Sequence, residues 1–573
     1  MRTAVGAHAR AAGILPPAPL RRSREQEGRG VERSVNPTPA ALTGREASLK
    51  LRGGQWAPLL AGLVVGALAL LGRPAPSFAQ GSAEAGKPVY ERRCSHCHGP
   101  EGKGDGPAAE RLRPRPRDFT QGWFKFRSTP SGSLPSDADL LRTISEGIPG
   151  TSMPGWNDLL SEKQRRDVVA YLKTFSARFK EEKIPPPVAF KPEIAVSQES
   201  VERGKKLFLD IECWKCHGNS GRADGPSAPT LKDEWDQPIS PANLTKPWLF
   251  RSGGTRRDIY RAIMTGLTGS PMPSFADTFN LPEEELKAME KDGVFLNPWH
   301  LVNYVDSLRR QRPPGVLLVV KRMEGELPTR YDDPAWEQAP LLEFALVGQV
   351  IEDPRWFTPA VDSVFIKGLY NERDIAFRLD WDDSTNSKKD TPKDAGGTGV
   401  VDRFALQFPA KNPEGGERPY FLGGTPQAPV YLWASASDPA AIKEKNAAGL
   451  TNEKEQPEAS QALSGQVEYV EGQYRMVVKR ALTTNDKEND VQFEPGKFFP
   501  IAFSAWDGGN HEEGAKRALS AWYLMFLQPP ESAARVSYPL LAIVLTLLVE
   551  MYIVRAVRRK VRRERALARR GRA

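Results

Sequence analysis

Residues 94–109 read CSHCHGPEGKGDGPAA and residues 213–228 read CWKCHGNSGRADGPSA, so that one stretch recurs at an offset of 119 residues. The offset persists downstream, where DLLRTISEGIPGTSMPGW (139–156) is matched by DIYRAIMTGLTGSPMPSF (258–275). Each copy closes with an amphipathic helical pattern, RRDVVAYLKTF (165–175) or PWHLVNYVDSL (298–308). The repeat predicts two small, mostly helical domains in tandem.

The boundaries of the two domains follow from the residues between and after them. We expect the first domain over 81–180 and the second over 199–312, with an insertion around 283–296 before its closing helix. Segment 181–198 contains four prolines and is predicted to be a stiff linker. Two prolines and a glycine at 313–315 end the repeat region.

All the cysteines of the chain belong to two Cys-x-x-Cys pairs that are each followed directly by histidine: Cys94, Cys97, Cys213 and Cys216. Cys-x-x-Cys-His is the attachment motif of c-type haem. A redox-active Cys-x-x-Cys pair would need neither the histidine nor a repeated downstream context. A zinc ribbon would need both pairs within one small unit. The sequence therefore predicts two covalent haem c groups.

The iron of each predicted haem needs two axial ligands. His98 and His217 complete the two motifs, and Met153 and Met272 each stand 55 residues further on (98 to 153, and 217 to 272). Both methionines precede proline in Gly/Pro-rich loops, as a distal thioether ligand would. Histidine–methionine ligation raises the reduction potential and suits electron transfer.

The other residues near the motifs are assigned no chemistry. His96 and Trp214 are expected to be spacers at the haem edge, and His300 to be a surface or capping residue. Because both irons are expected to have six ligands, a peroxidase or oxygen-activating site finds no open position. We therefore assign no catalytic residue.

The net charge of the chain is concentrated at its ends. The formal charge is +9, but segment 555–573 holds ten basic residues and one acidic residue, and residues 1–55 are also basic. The body between them is mildly acidic. A nucleic-acid partner is disfavoured, because such binding needs a basic patch on the folded domain.

Residues 1–79 are predicted to be an N-terminal extension and a signal peptide. An apolar run from Trp56 to Leu71 is followed by small residues before a cut after Ala79. An uncleaved membrane anchor or a buried helix is the alternative.

The sequence VSYPLLAIVLTLLVEMYIV at 536–554 predicts a transmembrane helix. Its length corresponds to about 28 Å, which is enough for a bilayer core with some local thinning. The basic tail 555–573 would lie in the cytoplasm by the positive-inside rule. The haem domains would then lie on the periplasmic side of the plasma membrane.

Residues 316–530 show a different pattern from the repeats. Short β-rich runs alternate with loops, among them the polar stretches 383–399 and 437–464. The runs are VLLVVKRM (316–323), LLEFALVGQVI (341–351), SVFIKGLY (363–370), DIAFRLDW (374–381), RFALQFP (403–409), PVYLWAS (429–435), QYRMVVKRAL (473–482) and FFPIAFSAWDG (498–508). This spacing predicts an all-β sandwich.

Two resemblances extend these predictions. The repeat region resembles class I cytochrome c domains over 81–312. DPAW (333–336), DIAFRLDW (374–381), PYF (419–421), AFSAWDG (502–508) and KRALSAW (516–522) resemble the haem b-binding γ subunit of ethylbenzene dehydrogenase, of the type II dimethyl sulfoxide reductase family. The fusion of both parts with an anchor is similar to the γ-type subunit of nitrite oxidoreductase.

The second resemblance implies one haem b held between a lysine and a methionine. Lys516 corresponds to the family lysine, whereas Gly423 stands at the position of the family methionine. Met476, whose side chain could point inward from its strand, is one candidate for the opposite ligand, and His511 is another. The sequence leaves open whether haem b is bound.

The sequence as a whole predicts a membrane-anchored multihaem electron-transfer subunit without substrate chemistry of its own. By resemblance, its partners would be the molybdenum and iron–sulfur subunits of an oxidoreductase on one side. A soluble cytochrome c or a terminal oxidase would be the partner on the other. The alternative is a redox-sensing or ligand-binding module whose sandwich lacks haem b.

Overall fold

The computed structural model describes residues 81–291, 293–392, 397–413, 422–438, 440–530 and 534–570. The predicted signal peptide lies outside the described residues. The α-helices among them are α1 Ala83–Arg93, α2 Ser95–His98, α3 Asp137–Glu146, α4 Glu162–Leu172, α5 Arg178–Glu181, α6 Gln198–Asp210, α7 Trp214–His217, α8 Arg256–Thr265, α9 Ala276–Phe279, α10 Glu283–Lys291, α11 Pro298–Ser307 and α12 Ala534–Arg570. The helix in the insertion before the second closing helix is α10.

Helices α1 and α4 cross in the first repeat. Gly86 lies at the crossing, where a Cβ atom would fall 2.0 Å from the carbonyl oxygen of Asp167. Helix α4 begins at a capping box, in which Ser161 and Gln164 each accept a hydrogen bond from the other's backbone N–H. The two helices enclose an apolar core. Glycine at the crossing lets their backbones approach closely.

Helices α6 and α11 cross in the same way in the second repeat. A Cβ atom at Gly204 would fall 2.0 Å from the carbonyl oxygen of His300. The imidazole of His300 is 6% exposed, and its Nδ1 lies 2.8 Å from the hydroxyl of Ser200. The expectation of a surface position for His300 is therefore wrong, because the crossing buries this turn of the helix.

The proline-rich linker is fixed to both repeats. The backbone N–H of Val188 donates to the carbonyl of Ser128 in the first repeat at 2.8 Å. In the second repeat, the Tyr260 hydroxyl accepts from the Lys191 N–H at 3.0 Å, and the indole N–H of Trp299 donates to the Lys191 carbonyl at 2.9 Å. The linker thus packs on its neighbours along its length.

A large sheet-rich domain follows the repeats. Its strands are β1 Leu317–Arg322, β2 Leu342–Ala345, β3 Val347–Gly348, β4 Ser363–Tyr370, β5 Asp374–Asp382, β6 Arg403–Pro409, β7 Val430–Ser437, β8 Ala440–Ala447, β9 Glu453–Glu455, β10 Ser464–Tyr469, β11 Gln473–Ala481, β12 Phe498–Trp506, β13 Ala518–Leu519 and β14 Tyr523–Leu527. Within the described residues their order is β10-β11-β5-β4-β1-β14-β12-β6-β7-β8-β9, with β2 on β4 and with β13 between β12 and β3. Pairing is antiparallel except that β1 is parallel to β14 and β4.

The two halves of this strand order face each other across an aromatic core. Phe377 on β5 lies 5.6 Å from Trp433 on β7, and Trp381 on β5 lies 4.3 Å from Phe404 on β6, measured between ring centroids. Because β5 is not hydrogen-bonded to β6 or β7, these rings meet between two layers of the sheet, tilted in the first pair and stacked in the second. The domain is therefore an all-β sandwich.

Three strands occur where the sequence predicts a loop. Strands β8 and β9 lie within 437–464, and β10 begins at its last residue. In β8, AAIKEKNA, most side chains are only partly buried on either face. Polar side chains are compatible with this end of the sheet, so the hydrophobic alternation that marks a strand in sequence is missing.

The C-terminal helix α12 is long, apolar and exposed. Residues 537–567 form a candidate membrane span with a mean hydropathy of 2.2 in its most apolar window, and none of that window is buried. Its apolar side chains include Leu540, Ile543 and Leu547, each more than half exposed. The helix could therefore span a membrane, and it continues through most of the basic tail.

Candidate functional site

The two Cys-x-x-Cys-His motifs adopt the same tight turn at the end of a helix. Cys94 follows α1, and its carbonyl accepts hydrogen bonds from the N–H groups of Cys97 and His98 at 3.1 and 2.9 Å. In the second repeat, the carbonyl of Cys213 accepts the two equivalent bonds at 3.3 and 3.0 Å. Residues three apart in such a turn share one face, so the two sulfur atoms of each motif point to the same side.

Each motif histidine is held through one ring nitrogen. Nδ1 of His98 lies 3.1 Å from the carbonyl oxygen of Arg117, and Nδ1 of His217 lies 2.9 Å from that of Ala242. A carbonyl only accepts, so Nδ1 carries the proton and Nε2 keeps its lone pair. Burial lowers the pKa of both imidazoles, which favours this neutral form.

Each predicted methionine ligand lies in a loop that begins with a glycine at the end of a helix. Gly147 ends α3 with φ of +72°, and the next N–H donates to the carbonyl of Met153 at 3.0 Å. Gly266 ends α8 with φ of +62°, and the next N–H donates to the carbonyl of Met272 at 3.1 Å. A Cβ atom on Gly147 would lie 2.7 Å from the Met153 carbonyl oxygen. Only glycine therefore fits this close, left-handed position.

The donor atoms of each repeat fit haem c. This cofactor requires two thiols, an imidazole and a thioether. Each repeat has two thiols on one side of a turn, an imidazole whose Nε2 is left for a metal, and a half-buried thioether in a fixed loop. Burial raises the pKa of Cys94 and Cys213 to about 12. Thiols of this kind are poorly suited to a thioredoxin-like exchange, which needs a thiolate.

The segments that hold the motif histidines were not identified from the sequence. They are PRDFT (116–120) and PANLT (241–245), which lie 125 residues apart, whereas the other matches lie 119 apart. Asp118 accepts from the N–H and the hydroxyl of Thr120 at 2.8 and 2.6 Å, and Asn243 accepts the same two bonds from Thr245 at 3.0 and 2.7 Å. The shared Pro-x-Asp/Asn-x-Thr pattern could have identified both segments, but an insertion moves the second segment away from the 119-residue offset of the other matches.

The cytochrome c family model matches residues 83–176 and 201–291. The two helical repeats are cytochrome c domains. Covalent haem c and electron transfer are the cofactor and the function of such domains. Within the described residues, a sheet-rich domain and one candidate membrane span follow these domains.

Solved structures that are similar to parts of the chain include the following three. A chain of the reducing HAO-like protein complex of Kuenenia stuttgartiensis is 43% identical over 40% of this chain and 97% of that chain, with a TM-score of 0.36. A family 9 carbohydrate-binding module of Caldicellulosiruptor kristjanssonii in complex with cellotriose is 11% identical over 38% and 96% of the two chains, with a TM-score of 0.24. A putative carbohydrate-binding protein of Bacteroides uniformis is 10% identical over 37% and 99%, with a TM-score of 0.22.

The first cytochrome c domain contacts the second through ion pairs to Glu234 and Asp258. The guanidinium of Arg117 lies 2.5 Å from the carboxylate of Glu234 and 5.3 Å from the ring centroid of Trp235. The guanidinium of Arg142 lies 3.0 Å from the carboxylate of Asp258. Arg117 is also the residue whose carbonyl holds His98, so the haem-side loop of the first domain lies directly at this contact.

The second cytochrome c domain contacts the sandwich through buried charges. Lys246 is 3% exposed, and its Nζ lies 2.6 Å from Asp362 and 3.0 Å from Asp382. Both carboxylates raise the pKa of Lys246 although burial opposes them. Arg310, near the end of the second domain, pairs with Asp380 on β5. The second domain therefore lies between the first domain and the sandwich.

The residues predicted to hold haem b lie in different surroundings. Met476 is fully buried in the aromatic core of the sandwich, paired across strands with Leu379. Lys516 is half-buried, and its Nζ lies 5.3 Å from the ring centroid of Trp356. His511 is exposed in a left-handed turn. Haem b stays a prediction from the resemblance alone.

Proposed function

We propose that the protein is a membrane-anchored electron-transfer subunit that relays electrons between a molybdenum oxidoreductase, similar to nitrite oxidoreductase, and a cytochrome c or terminal oxidase. The observation that carries the proposal is the serial packing of the first cytochrome c domain on the second and of the second on the sandwich. A sensing module would not require two redox domains in series.

The proposed cofactor residues follow the geometry of the two domains. Cys94 and Cys97 would hold one haem c, and Cys213 and Cys216 the other. When bound, haem supplies a one-electron centre in each domain. The chain fixes the imidazoles through the carbonyls of segments 116–120 and 241–245, and the loops that begin with a glycine fix the methionines.

The proposed placement has the folded body on the periplasmic side, with the sandwich facing the oxidoreductase. The exposed apolar helix α12 would anchor the body, and the basic segment after residue 554 would stay in the cytoplasm. The acidic body would favour a basic carrier protein as the soluble partner, through an attraction that salt weakens.

Haem staining on a denaturing gel tests the cofactor assignment. We expect two covalent haems per chain in the wild type and one in each double variant, Cys94→Ala with Cys97→Ala, and Cys213→Ala with Cys216→Ala. The two variants control for each other, because each leaves the other domain intact. Zinc without covalent haem in the purified wild type would contradict the assignment.

Purification of the native complex tests the partners. We expect co-eluting subunits that contain molybdenum and iron–sulfur clusters, detected by metal analysis and mass spectrometry. Substrate-dependent reduction of the haem absorbance in this complex would show the relay directly. A chain that purifies alone from native membranes, with haems that no oxidoreductase reduces or oxidises, would support the sensing alternative.

A further inference from the structure

Three aspartates meet inside the sandwich at the ends of strands. Asp383 follows β5, Asp402 precedes β6, and Asp507 follows β12. Each offers a carboxylate oxygen within 4.8 Å of those of the other two. Asp383, Asp402 and Asp507 are 4%, 2% and 4% exposed, respectively. The haem sites use none of them.

The hydrogen-bond donors around this triad are neutral. Asp402 accepts from the N–H groups of Gly508 and Ser387 and, at 2.7 Å, from the hydroxyl of Tyr474. Among the described residues, no lysine, arginine or histidine forms an ion pair with any of the three aspartates. His511 acts on Asp507 electrostatically but, among the described residues, forms no ion pair with it.

One oxygen of the triad has no hydrogen-bond partner among the described residues. Oδ1 of Asp383 accepts from the N–H of Thr385 at 3.0 Å, whereas Oδ2 is buried and receives no hydrogen bond. A buried, unpaired carboxylate oxygen is costly, and it faces the charges of the other two aspartates. This oxygen atom is therefore available as a ligand for a cation.

The triad is a dense cluster of buried acidic groups. The three carboxylates lie within 4.8 Å of one another and are each less than 5% exposed, so their charges would repel strongly. A fourth buried carboxylate lies beside them, since Oε2 of Glu512 accepts from the backbone N–H of Asp507 at 3.2 Å. Either shared protons or a bound cation must compensate these charges.

We propose that Asp383, Asp402 and Asp507 bind one Ca²⁺ ion inside the sandwich. The donors are all hard oxygens, which disfavours the transition metals that prefer nitrogen or sulfur ligands. The hydroxyl of Thr385 lies beside the three carboxylates, at 3.4 Å from Asp507. These oxygens suit Ca²⁺, which coordinates six to eight oxygens in a flexible geometry. Mg²⁺ would need to keep several waters, for which a buried site leaves little room.

The proposed ion lies directly behind the surface that receives the second cytochrome c domain. The N–H of Asp383 donates to the carbonyl of Gly472 at 3.0 Å. A Cβ atom on Gly472 would lie 2.7 Å from the Cβ of Arg222 in the second domain. Asp382, the next residue along the chain, pairs with Lys246. Ca²⁺ would therefore fix the end of β5 against which that domain packs.

Metal analysis and calorimetry of the full chain in detergent test this site. We expect one Ca²⁺ per chain after purification without chelator. After treatment with EGTA, added CaCl₂ should raise the Tm of one transition by about 5–10 °C at a concentration one hundred times Kd. MgCl₂ at the same concentration should raise it by much less.

Two variants and one spectroscopic probe complete the test. Asp383→Asn should abolish the shift caused by CaCl₂, whereas Asp332→Asn, at an exposed position on the same domain, should keep it. Tb³⁺ added to the wild type after chelation should show luminescence sensitised by Tyr474, and Ca²⁺ should displace it, so the site can be detected even if Asp383→Asn does not fold. A wild type with no bound Ca²⁺, no shift in Tm up to millimolar CaCl₂ and no Tb³⁺ signal would overturn the proposal in favour of shared protons. Equal shifts with both salts would overturn the assignment to Ca²⁺.

Discussion

Replacement of Lys246 by methionine should open the contact between the second cytochrome c domain and the sandwich. Nζ of Lys246 lies 2.6 Å from Asp362 and 3.0 Å from Asp382, and the side chain is 3% exposed. Methionine keeps the apolar stem but removes the charge. Asp382 would remain buried with only weaker partners, since the guanidinium groups of Arg222 and Arg310 lie 3.6 and 3.8 Å away.

The size of the effect follows from the burial of the pair. Breaking a buried ion pair by removing one partner costs about 3–5 kcal/mol, because the other charge stays desolvated and unpaired. Because two guanidinium groups remain near Asp382, we expect a cost at the lower end of this range, about 3 kcal/mol. Each 1.4 kcal/mol changes an equilibrium tenfold, so the population of the opened contact should rise about a hundredfold.

Native-state proteolysis of the full chain measures this population. The side chain of Arg310 is paired with Asp380 at this contact, so trypsin should cleave after Arg310 when the contact opens, at a rate that follows the opened fraction when opening is fast. Lys103→Met is the matched control, since the Lys103 ammonium pairs with Glu101 at 2.6 Å but both side chains are more than half exposed. That exposed pair should contribute little to stability, because water and salt screen its charges. Cleavage rates that change equally, within about threefold, in both variants would refute the reasoning.

Three further predictions concern the haem ligands, the contact between the cytochrome c domains, and haem b. Met153→His and Met272→His should each lower the potential of one haem by on the order of 0.1 V in a spectroelectrochemical titration. Met264→Leu, at a buried position of α8, is the control, and unchanged potentials in the histidine variants would contradict the assignment. Burial raises the pKa of Asp258, but the Thr255 hydroxyl and the charge of Arg142 outweigh it and lower the pKa overall. The stability that this carboxylate contributes should therefore be present above about pH 4 and be lost as pH falls through the depressed pKa, which thermal unfolding followed by the haem absorbance at graded pH can measure. Acid–acetone extraction should release one haem b per chain if Lys516 ligates it; two covalent haems with nothing extractable would show that the resemblance does not extend to this cofactor.

The motif-bearing half of the molecule could be predicted from sequence because its constraints are local. Cys-x-x-Cys-His fixes a turn within five residues, and the glycine before each methionine loop marks the end of a helix. The strands with apolar runs were found for a similar reason. The run at 374–381, for example, is strand β5.

The contacts between domains could not be predicted, because they join residues that are distant in sequence. Nothing near Lys246 indicates that Asp382 lies against it, and a lysine in a loop is usually exposed. The aspartate triad is a similar case, since Asp383 and Asp507 are 124 positions apart (383 to 507) and neither is part of a metal-binding motif in the sequence. Strands β8 to β10 were missed because their pairing depends on neighbours rather than on an apolar pattern.

The unbroken C-terminal helix has a mechanical consequence. Its 37 residues correspond to about 56 Å, whereas a hydrocarbon core is about 30 Å thick. If the apolar part lies in a bilayer, a rod of roughly 25 Å projects beyond it and carries the arginines on a stiff stalk. Each residue added before Arg555 would then rotate the charged side chains by about 100° and lift them by about 1.5 Å. The position of these charges is set by helical phase and length, so a one-residue insertion should disturb any partner on that side more than the exchange of one arginine for lysine.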